Sequence, residues 1–327
     1  MTTIVLGAAS VLSCTSESPE PDRLAVGGFS GLGAATDVAH AKGFFTAEGI
    51  RFEFDSVDSS EELMTNLIEG RYDIIQTNAD NIIAWTEGQG ADGTPHDFVM
   101  VLGGYRGREP MELVVAGDIR SVDDLRGKVL AVDAVHTGYA PMLVYMLRQE
   151  GLVWKEDYEL ESVGGGPMRA QSLKAGRTTG GLVELDEELE ALGFHVLMSS
   201  SDYIAEYARG VTAARRDWAE ANADLLVRYI RAMVRSINWL LDPANRAEAV
   251  GIIMAADRVD AAEARLRYEE AVDPVHGFVA DAELRPAGIE QILKIREVMG
   301  AMSAPLPPPE KYIEDRYYRS AMQSLDR

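Results

Sequence analysis

The chain has 327 residues, of which 53 are acidic and 31 are lysine or arginine, so its formal net charge is −22. This charge argues against nucleic-acid binding, because contacts to phosphates need clustered basic side chains. The sequence is 46% hydrophobic and 26% charged, as in ordinary globular proteins, and no apolar run approaches the length of a membrane-spanning helix. A chain of this length is long enough for two lobes, each with its own hydrophobic core.

The first residues contain the only cysteine of the chain, Cys14. It ends an apolar run of small residues, and the polar segment 15–22 follows it. This pattern resembles a bacterial lipoprotein signal over residues 1–14, which implies cleavage before Cys14 and acylation of its thiol. No lysine or arginine precedes the apolar run, whereas secretory signals have a basic segment there. The alternative is that Cys14 is a buried structural cysteine, and a lone cysteine excludes an intramolecular disulfide.

A βαβ unit is predicted next, with strands at 24–28 and 51–54 and a helix at 34–42. A right-handed crossover makes the two strands parallel. The loop between the first strand and the helix then lies at the sheet edge where open α/β sheets bind ligands. Ser30 and Thr36 are therefore candidate ligand contacts. The glycines of this loop are equally compatible with a simple turn.

A second strand-to-helix junction is predicted after a short buried strand at residues 72–76. The preceding helix is predicted to begin at Ser60, which has the pattern of a capping box. Thr77, Asn78 and Asp80 follow the strand and are candidate ligand contacts. The alternative is that Thr77 or Asn78 only caps the next helix.

The crossing to a second lobe is predicted between strands at 99–103 and 111–115. Tyr105 and Arg106 lie in this crossing, where residues that face a cleft concentrate. Arg106 is a candidate for bidentate binding of an anionic group. The alternative is that the arginines of this segment are solvated hinge residues.

A third junction follows the strand predicted at 129–132. Thr137, Gly138 and Tyr139 precede the next predicted helix, at 140–150, and are candidate contacts from the second lobe. His136 in the same loop is a weaker candidate, because single loop histidines are mostly exposed.

Two more candidates follow in the second lobe. Arg169 comes after three consecutive glycines, near the start of a helix predicted at 170–175, where backbone N–H groups could hold an anion. The segment lacks the lysine and hydroxyl residues of a nucleotide P-loop, so ATP binding is excluded. Glu184 lies in the strand predicted at 180–186, and its carboxylate would suit amino or amidine-like donors. The alternative is that the acids here only begin the helix at 187–191.

Helices dominate the remainder of the chain, which is predicted to return to the first lobe. The longest is amphipathic, with apolar residues at helical spacing. The predicted ranges are 225–241, 247–256, 261–271, 286–299 and 310–325.

Three motifs in order carry a family resemblance: AKGFFTAEGI at 41–50, LIEGRYD at 67–73 and IRSVDDLRGK at 119–128. Over roughly residues 23 to 300, the chain resembles substrate-binding proteins of ABC importers of the nitrate/sulfonate/taurine and thiamine-precursor group. The resemblance implies a two-lobed, type II periplasmic-binding-protein-like α/β fold. Each lobe would be a mainly parallel sheet flanked by helices, with the ligand cleft between the lobes.

The resemblance also implies how the lobes divide the chain and what they do. Residues 23–112 and 206–327 would form the first lobe and 113–205 the second. The protein would lie outside the cytoplasm, anchored to the membrane only through lipid on Cys14. It would capture a small organic solute, aromatic, heterocyclic or sulfonate-like, by hinge closure and deliver it to an ABC permease. We expect a monomer that uses no cofactor or metal and is not an enzyme.

Two other classes of function stay open. One is an enzyme on the same fold, either a decarboxylase or dehydratase with Asp80, His136 or Glu184 as acid or base, or a pyrimidine-precursor synthase. The synthases rely on a cysteine-rich motif that this chain lacks. The other is a ligand-sensing partner of a membrane receptor, which sequence does not separate from a transport protein.

Overall fold

A computed structural model describes residues 20–29, 33–106 and 111–325 of the chain. The predicted signal with Cys14, most of the linker and Ser30 lie outside these described residues. The strands are β1 (Asp22–Gly28), β2 (Ile50–Ser56), β3 (Ile74–Thr77), β4 (Phe98–Leu102), β5 (Glu112–Val115), β6 (Val129–Val132), β7 (Glu159–Ser162), β8 (Gly180–Leu182), β9 (His195–Ser199) and β10 (Val211–Arg215).

The helices concentrate in the carboxyl-terminal third, where the long amphipathic helix covers all of its predicted range and begins two residues earlier. They are α1 (Ala34–Ala41), α2 (Phe44–Ala47), α3 (Ser60–Ile68), α4 (Ala79–Thr86), α5 (Ala140–Gln149), α6 (Gly166–Lys174), α7 (Glu187–Ala191), α8 (Arg216–Ala221), α9 (Ala223–Leu241), α10 (Arg246–Asp257), α11 (Ala261–Val272), α12 (Pro286–Val298) and α13 (Arg316–Leu325).

Two five-stranded sheets with the same topology form the framework. Lobe 1 contains the sheet β2-β1-β3-β10-β4, and lobe 2 contains the sheet β7-β6-β8-β5-β9. In lobe 1, β1 is parallel to β2 and β3, whereas β10 is antiparallel to both of its neighbours. In lobe 2, β6 is parallel to β7 and β8, and β5 is the antiparallel strand. The predicted two-lobed α/β fold is therefore confirmed, with one antiparallel strand in each mainly parallel sheet.

Several element boundaries differ from the predicted ones. The N-cap of α3 is Ser59, not Ser60, because the Ser59 hydroxyl accepts a hydrogen bond from Glu62 N over 3.2 Å. Helix α6 begins at Gly166, four residues before its predicted start, since Pro167 is tolerated in a first helical turn. The predicted final helix is shorter, because a 3₁₀ turn at Pro309–Lys311 precedes α13. Strands β9 and β10 are not among the predicted elements.

The hydrophobic core is continuous between the two lobes at helix α12. Helix α12 packs against α4 of lobe 1 and α5 of lobe 2. Its residues Ile289 and Ile292 belong to one buried cluster that also contains Met64 of lobe 1 and Met142 of lobe 2. A second cluster, within lobe 1, surrounds the apolar face of α9. Among the described helices, none has the length and apolar character needed to cross a membrane.

Candidate functional site

A cavity of about 590 Å³ lies between the two lobes. Its volume is in the range of small-molecule binding pockets. Six of the predicted contact residues line it, three from lobe 1 and its crossing and three from lobe 2: Thr77, Asn78, Tyr105, Gly138, Tyr139 and Arg169. The strand-to-helix junctions at β3–α4 and β6–α5 therefore meet at one cavity, as parallel strands that end at facing sheet edges allow.

The lobe 1 wall of the cavity is built mostly from neutral side chains at the end of β3. Asn81 donates from its amide nitrogen to Thr77 Oγ1 over 2.8 Å, and Gln76 donates to Tyr229 Oη over 3.1 Å. Asn78 accepts a hydrogen bond from Gly210 N over 3.4 Å. These bonds fix the orientation of three amides that line the cavity.

An aromatic and cationic stack forms the side of the cavity near the crossing between the lobes. The Tyr105 ring stacks on Phe278 with 4.3 Å between ring centroids. The guanidinium carbon of Arg209 lies 4.2 Å from the centroid of the Tyr105 ring, and Arg209 Nη2 donates to His276 O over 2.7 Å. Tyr105 is thus held as a rigid platform beside a positive charge.

The lobe 2 wall carries opposite charges. Arg169 donates from Nε to Leu182 O over 2.9 Å and from Nη1 to Gly164 O over 3.2 Å, which locks its side chain at the start of α6. Asp133 lies at the end of β6, and burial raises the pKa of its carboxyl group, while Arg169 opposes that rise. Across the cavity mouth, Ser60 Oγ of lobe 1 donates to Asp133 Oδ2 over a long 3.5 Å.

Position 138, next to the Asp133 carboxylate, requires a glycine. Its φ is 68°, a left-handed conformation that side chains rarely adopt, and a Cβ atom there would lie 2.4 Å from Asp133 Oδ2. This glycine therefore allows the loop after β6 to fold tightly over the carboxylate.

Asp80, one of the predicted contacts, does not line the cavity. It is fully buried, and Arg296 Nη1 donates to its Oδ1 over 2.7 Å. Arg296 also donates from Nε to Gln89 Oε1 over 2.9 Å and from Nη2 to His136 O of lobe 2 over 3.1 Å. The structure places Asp80 in an ion pair behind the cavity, where α12 joins the lobes.

Four further predicted residues also lie away from the cavity. Thr36 is buried within α1, and Thr137 is buried in the loop before α5. The backbone N–H of Arg106 donates to Gly277 O over 2.7 Å, and Glu184 is exposed. None of the four is among the described residues that line the cavity.

The cavity also contains residues that are not among the predicted contacts, notably Gln76, Asn81, Asp133 and Arg209. Gln76 ends a predicted strand and Asp133 directly follows one, so their position relative to the strand end was the available signal, whereas Asn81 lies in the first turn of α4. Arg209 precedes β10, whose antiparallel direction brings its amino end to the edge where β3 ends. Without knowledge of that pairing, the sequence offers no signal for Arg209.

Structural comparison places the fold among known proteins. The periplasmic nitrate-binding protein NrtA from Synechocystis PCC 6803 superposes with a TM-score of 0.77 at 15% identity, over 95% of this chain and 90% of that chain. The alkanesulfonate-binding protein SsuA from Xanthomonas axonopodis pv. citri, bound to MOPS, gives 0.65 at 16% identity, over 93% and 99%. The desulfurization enzyme DSZB gives 0.62 at 15% identity, over 93% and 99%. Both binding proteins and an enzyme therefore share the fold.

Comparison of the sequence with known families identifies one family. No curated protein sequence is significantly similar to this chain. The sequence profile of the NMT1-like family matches residues 17–254, which include all ten described strands. That match spans more than half of the chain, and the chain therefore belongs to the NMT1-like family.

Proposed function

We propose that this protein is the solute-binding component of an ABC import system and that it captures a small organic solute between its lobes. The observation that carries the proposal is the cavity of about 590 Å³, because both lobes line it at their strand ends. The family membership and the fold shared with nitrate-binding and alkanesulfonate-binding proteins support the same class of function.

Hinge closure is the mechanism that this arrangement supports. Contacts between the lobes occur at the cavity mouth, from Ser60 to Asp133, and behind the cavity, from Arg296 to His136 O. A solute that binds side chains of both lobes stabilises the closed arrangement by its differential affinity for it. The closed form would then be the one that the permease recognises.

The size and lining of the cavity favour an organic solute over a small inorganic anion. The volume is far larger than a single trigonal or tetrahedral anion needs, and Tyr105 and Tyr139 supply aromatic surface. Arg169 and Arg209 supply positive charge for an acidic substituent. We infer an aromatic, heterocyclic or sulfonate-like solute.

The cellular setting is part of the same proposal. We infer that the protein acts outside the cytoplasm as a lipid-anchored monomer, attached through Cys14, and that it delivers its solute to an ABC permease. Labelling of cells with a radioactive or clickable fatty acid tests the anchor. Incorporation that is lost in Cys14→Ala supports it, and equal incorporation in both proteins contradicts it.

An enzyme on the same fold is the second candidate, because the desulfurization enzyme DSZB superposes on the chain and Asp133 lies in the cavity with a raised pKa. A carboxyl group whose pKa is raised by burial is suited to proton transfer. In that case Asp133, rather than Asp80 or Glu184, would be the acid or base.

The deciding experiment is a thermal-shift screen of the purified chain against sulfonates, aromatic acids, pyrimidines, flavins and nitrate. A ligand at about one hundred times its dissociation constant adds about 2.7 kcal/mol to the free energy of unfolding, which raises the melting temperature measurably. We expect an organic compound to stabilise the chain and to be recovered unchanged by mass spectrometry. Stabilisation by nitrate alone would contradict the organic solute, and conversion of a hit would favour the enzyme.

A further inference from the structure

Two buried amide side chains on the lobe 1 wall have unused hydrogen-bond acceptors. Gln76 and Asn81 are each 3% exposed, and both line the cavity. Their amide nitrogens are already engaged, with Tyr229 Oη and Thr77 Oγ1. Within the described residues, neither Gln76 Oε1 nor Asn81 Oδ1 accepts a hydrogen bond.

The orientation of the Gln76 amide follows from its neighbours. Tyr229 Oη also lies 3.3 Å from Thr212 Oγ1. The phenol can therefore donate its single proton to Thr212 and accept a hydrogen bond from the Gln76 amide nitrogen. This arrangement uses one of the two N–H donors of the Gln76 amide and leaves its carbonyl oxygen to accept a hydrogen bond from another partner.

The opposite wall contributes a third unused acceptor. Asp133 Oδ1 is buried and has no hydrogen-bond partner among the described residues, while Oδ2 receives the long bond from Ser60. Leaving a buried acceptor without a donor costs about 1–3 kcal/mol, and folded proteins contain few such groups. Three of them at one cavity indicate that donors arrive with the solute.

The charges of the lining point in the same direction. The described lining contains two arginines, Arg169 and Arg209, and two acids, Asp58 and Asp133. The arginines suit an acidic substituent, and the acids suit a group that donates hydrogen bonds. A solute with a donor group, with or without an acidic substituent, matches this lining.

We propose that the solute carries an amino group, whose N–H donors Gln76, Asn81 and Asp133 bind together. These three residues then select against solutes of the same shape that lack the donor. This inference rests on the proposed function as a solute-binding protein, and it adds the chemical group that the site recognises.

Isothermal titration of the full chain with matched compounds tests the selection. The pairs differ only by an amino group: cytosine and 2-hydroxypyrimidine, adenine and purine, 4-aminobenzoate and benzoate, sulfanilate and benzenesulfonate. We expect at least one pair to bind, and its amino member to bind about tenfold or more tightly than the other, because a site built for a donor rejects the analogue without it.

Two variants of Asn81 show whether the preference for the amino compound depends on the hydrogen-bond acceptor of this side chain or on its shape. Asn81→Leu has similar volume but no acceptor, so the preference for the amino member is expected to disappear. Asn81→Asp keeps acceptor oxygens and is expected to retain the preference. Asn66→Leu is the matched control, because Asn66 is also a buried amide, is 7% exposed and does not line the cavity. Circular dichroism melting checks that each variant folds.

The outcomes separate this inference from the function beneath it. Equal affinity for both members of a binding pair, or loss of the preference in Asn81→Asp as complete as in Asn81→Leu, would overturn the donor inference and leave solute binding intact. Binding of neither member of any pair would count against the proposed function as well.

Discussion

Two acid–arginine sets lie within lobe 1 and lobe 2, and they differ in whether the acid is paired with the arginine and in whether the set lines the cavity. Behind the cavity, every guanidinium nitrogen of Arg296 donates to Asp80, Gln89 or the His136 carbonyl, and the pair is excluded from solvent. In the cavity wall, Arg169 bonds to two backbone carbonyls. Each acid has one buried oxygen, Asp80 Oδ2 and Asp133 Oδ1, without a hydrogen-bond partner among the described residues, but only Asp133 lines the cavity. The first set holds the lobes together, and the second is open to a solute.

This difference shows why a carboxylate after a strand is an ambiguous signal. Asp80 and Asp133 both lie at strand-to-helix junctions of the kind that forms binding sites. A distant arginine closes the first junction, whereas a glycine, Gly138, covers the second without supplying a hydrogen-bonding side chain. Asp133 lines the cavity and is available for binding, whereas Asp80 is held by Arg296 outside the cavity lining.

The largest expected effect on stability comes from breaking the buried ion pair between Arg296 and Asp80. Arg296→Met leaves Asp80 as an uncompensated buried charge, which we expect to lower the free energy of unfolding by about 3–5 kcal/mol. Urea unfolding followed by circular dichroism measures it. The control is Arg319→Met, which breaks an exposed pair with Asp315 and costs about 0–1 kcal/mol. A loss as small as that of the control would show that the buried pair does not hold the lobes.

A smaller loss of stability is expected when Arg169, in the lobe 2 wall of the cavity, is replaced. Arg169→Met removes two hydrogen bonds to carbonyls and the positive charge near Asp133, which we expect to cost about 1.5–3 kcal/mol in the same unfolding assay. Unlike Arg296, Arg169 lines the cavity, so solute affinity per folded molecule falls as well. Arg169→Lys, which keeps the charge, is expected to recover part of the loss. Unchanged affinity in Arg169→Met would remove this residue from the binding site.

A third carboxylate, Asp37 on α1, is partly buried, and the charge of Arg267 offsets only part of the effect of that burial on its pKa. Burial, with a contribution from Asp257, raises its pKa from 3.8 to about 6, and its Oδ2 has no partner among the described residues. Because the folded state holds the proton more tightly than the unfolded state, stability is lost as pH rises through the raised pKa. Asp37→Asn removes that loss.

We therefore expect Asp37→Asn to be more stable than the parent chain at about pH 8, by about 1–2 kcal/mol after allowance for solvent screening of this partly exposed group. At about pH 4 the two proteins should unfold at nearly the same urea concentration. A gain of equal size at both pH values would show that the asparagine acts by packing and not by removing a charge.

The smallest effects concern two adjacent serines at the cavity mouth. Ser59 caps α3, so Ser59→Ala is expected to cost about 1 kcal/mol. Among the described residues, the Ser60 hydroxyl makes the long bond to Asp133 and no other side-chain hydrogen bond, so Ser60→Ala is expected to cost about 0.5 kcal/mol or less. Urea unfolding of the two variants side by side measures the order. The reverse order would mean that the bridge to Asp133 contributes more to folding than the cap.

The sequence was sufficient for the parts of the site that local rules determine. Glycine, hydroxyl and amide residues directly after a buried strand mark a strand-to-helix junction, because the chain must turn and satisfy the first N–H groups of the next helix. Thr77, Asn78, Gly138 and Tyr139 were predicted on that basis, and all four line the cavity. The two-lobed fold was predicted from the same alternation of strands and helices, together with the family resemblance.

Tertiary structure decided which charged residues remain available. Asp80 is paired with an arginine that lies 216 positions later in the chain, and Arg209 reaches the cavity through the antiparallel pairing of β10. Neither contact leaves a periodicity or a local motif in the sequence, because residues far apart in the chain meet only once the sheets and α12 are packed. Local hydrogen bonding and periodicity determine where in the chain a binding site can form. Long-range packing determines which side chains line that site and remain available to bind a solute.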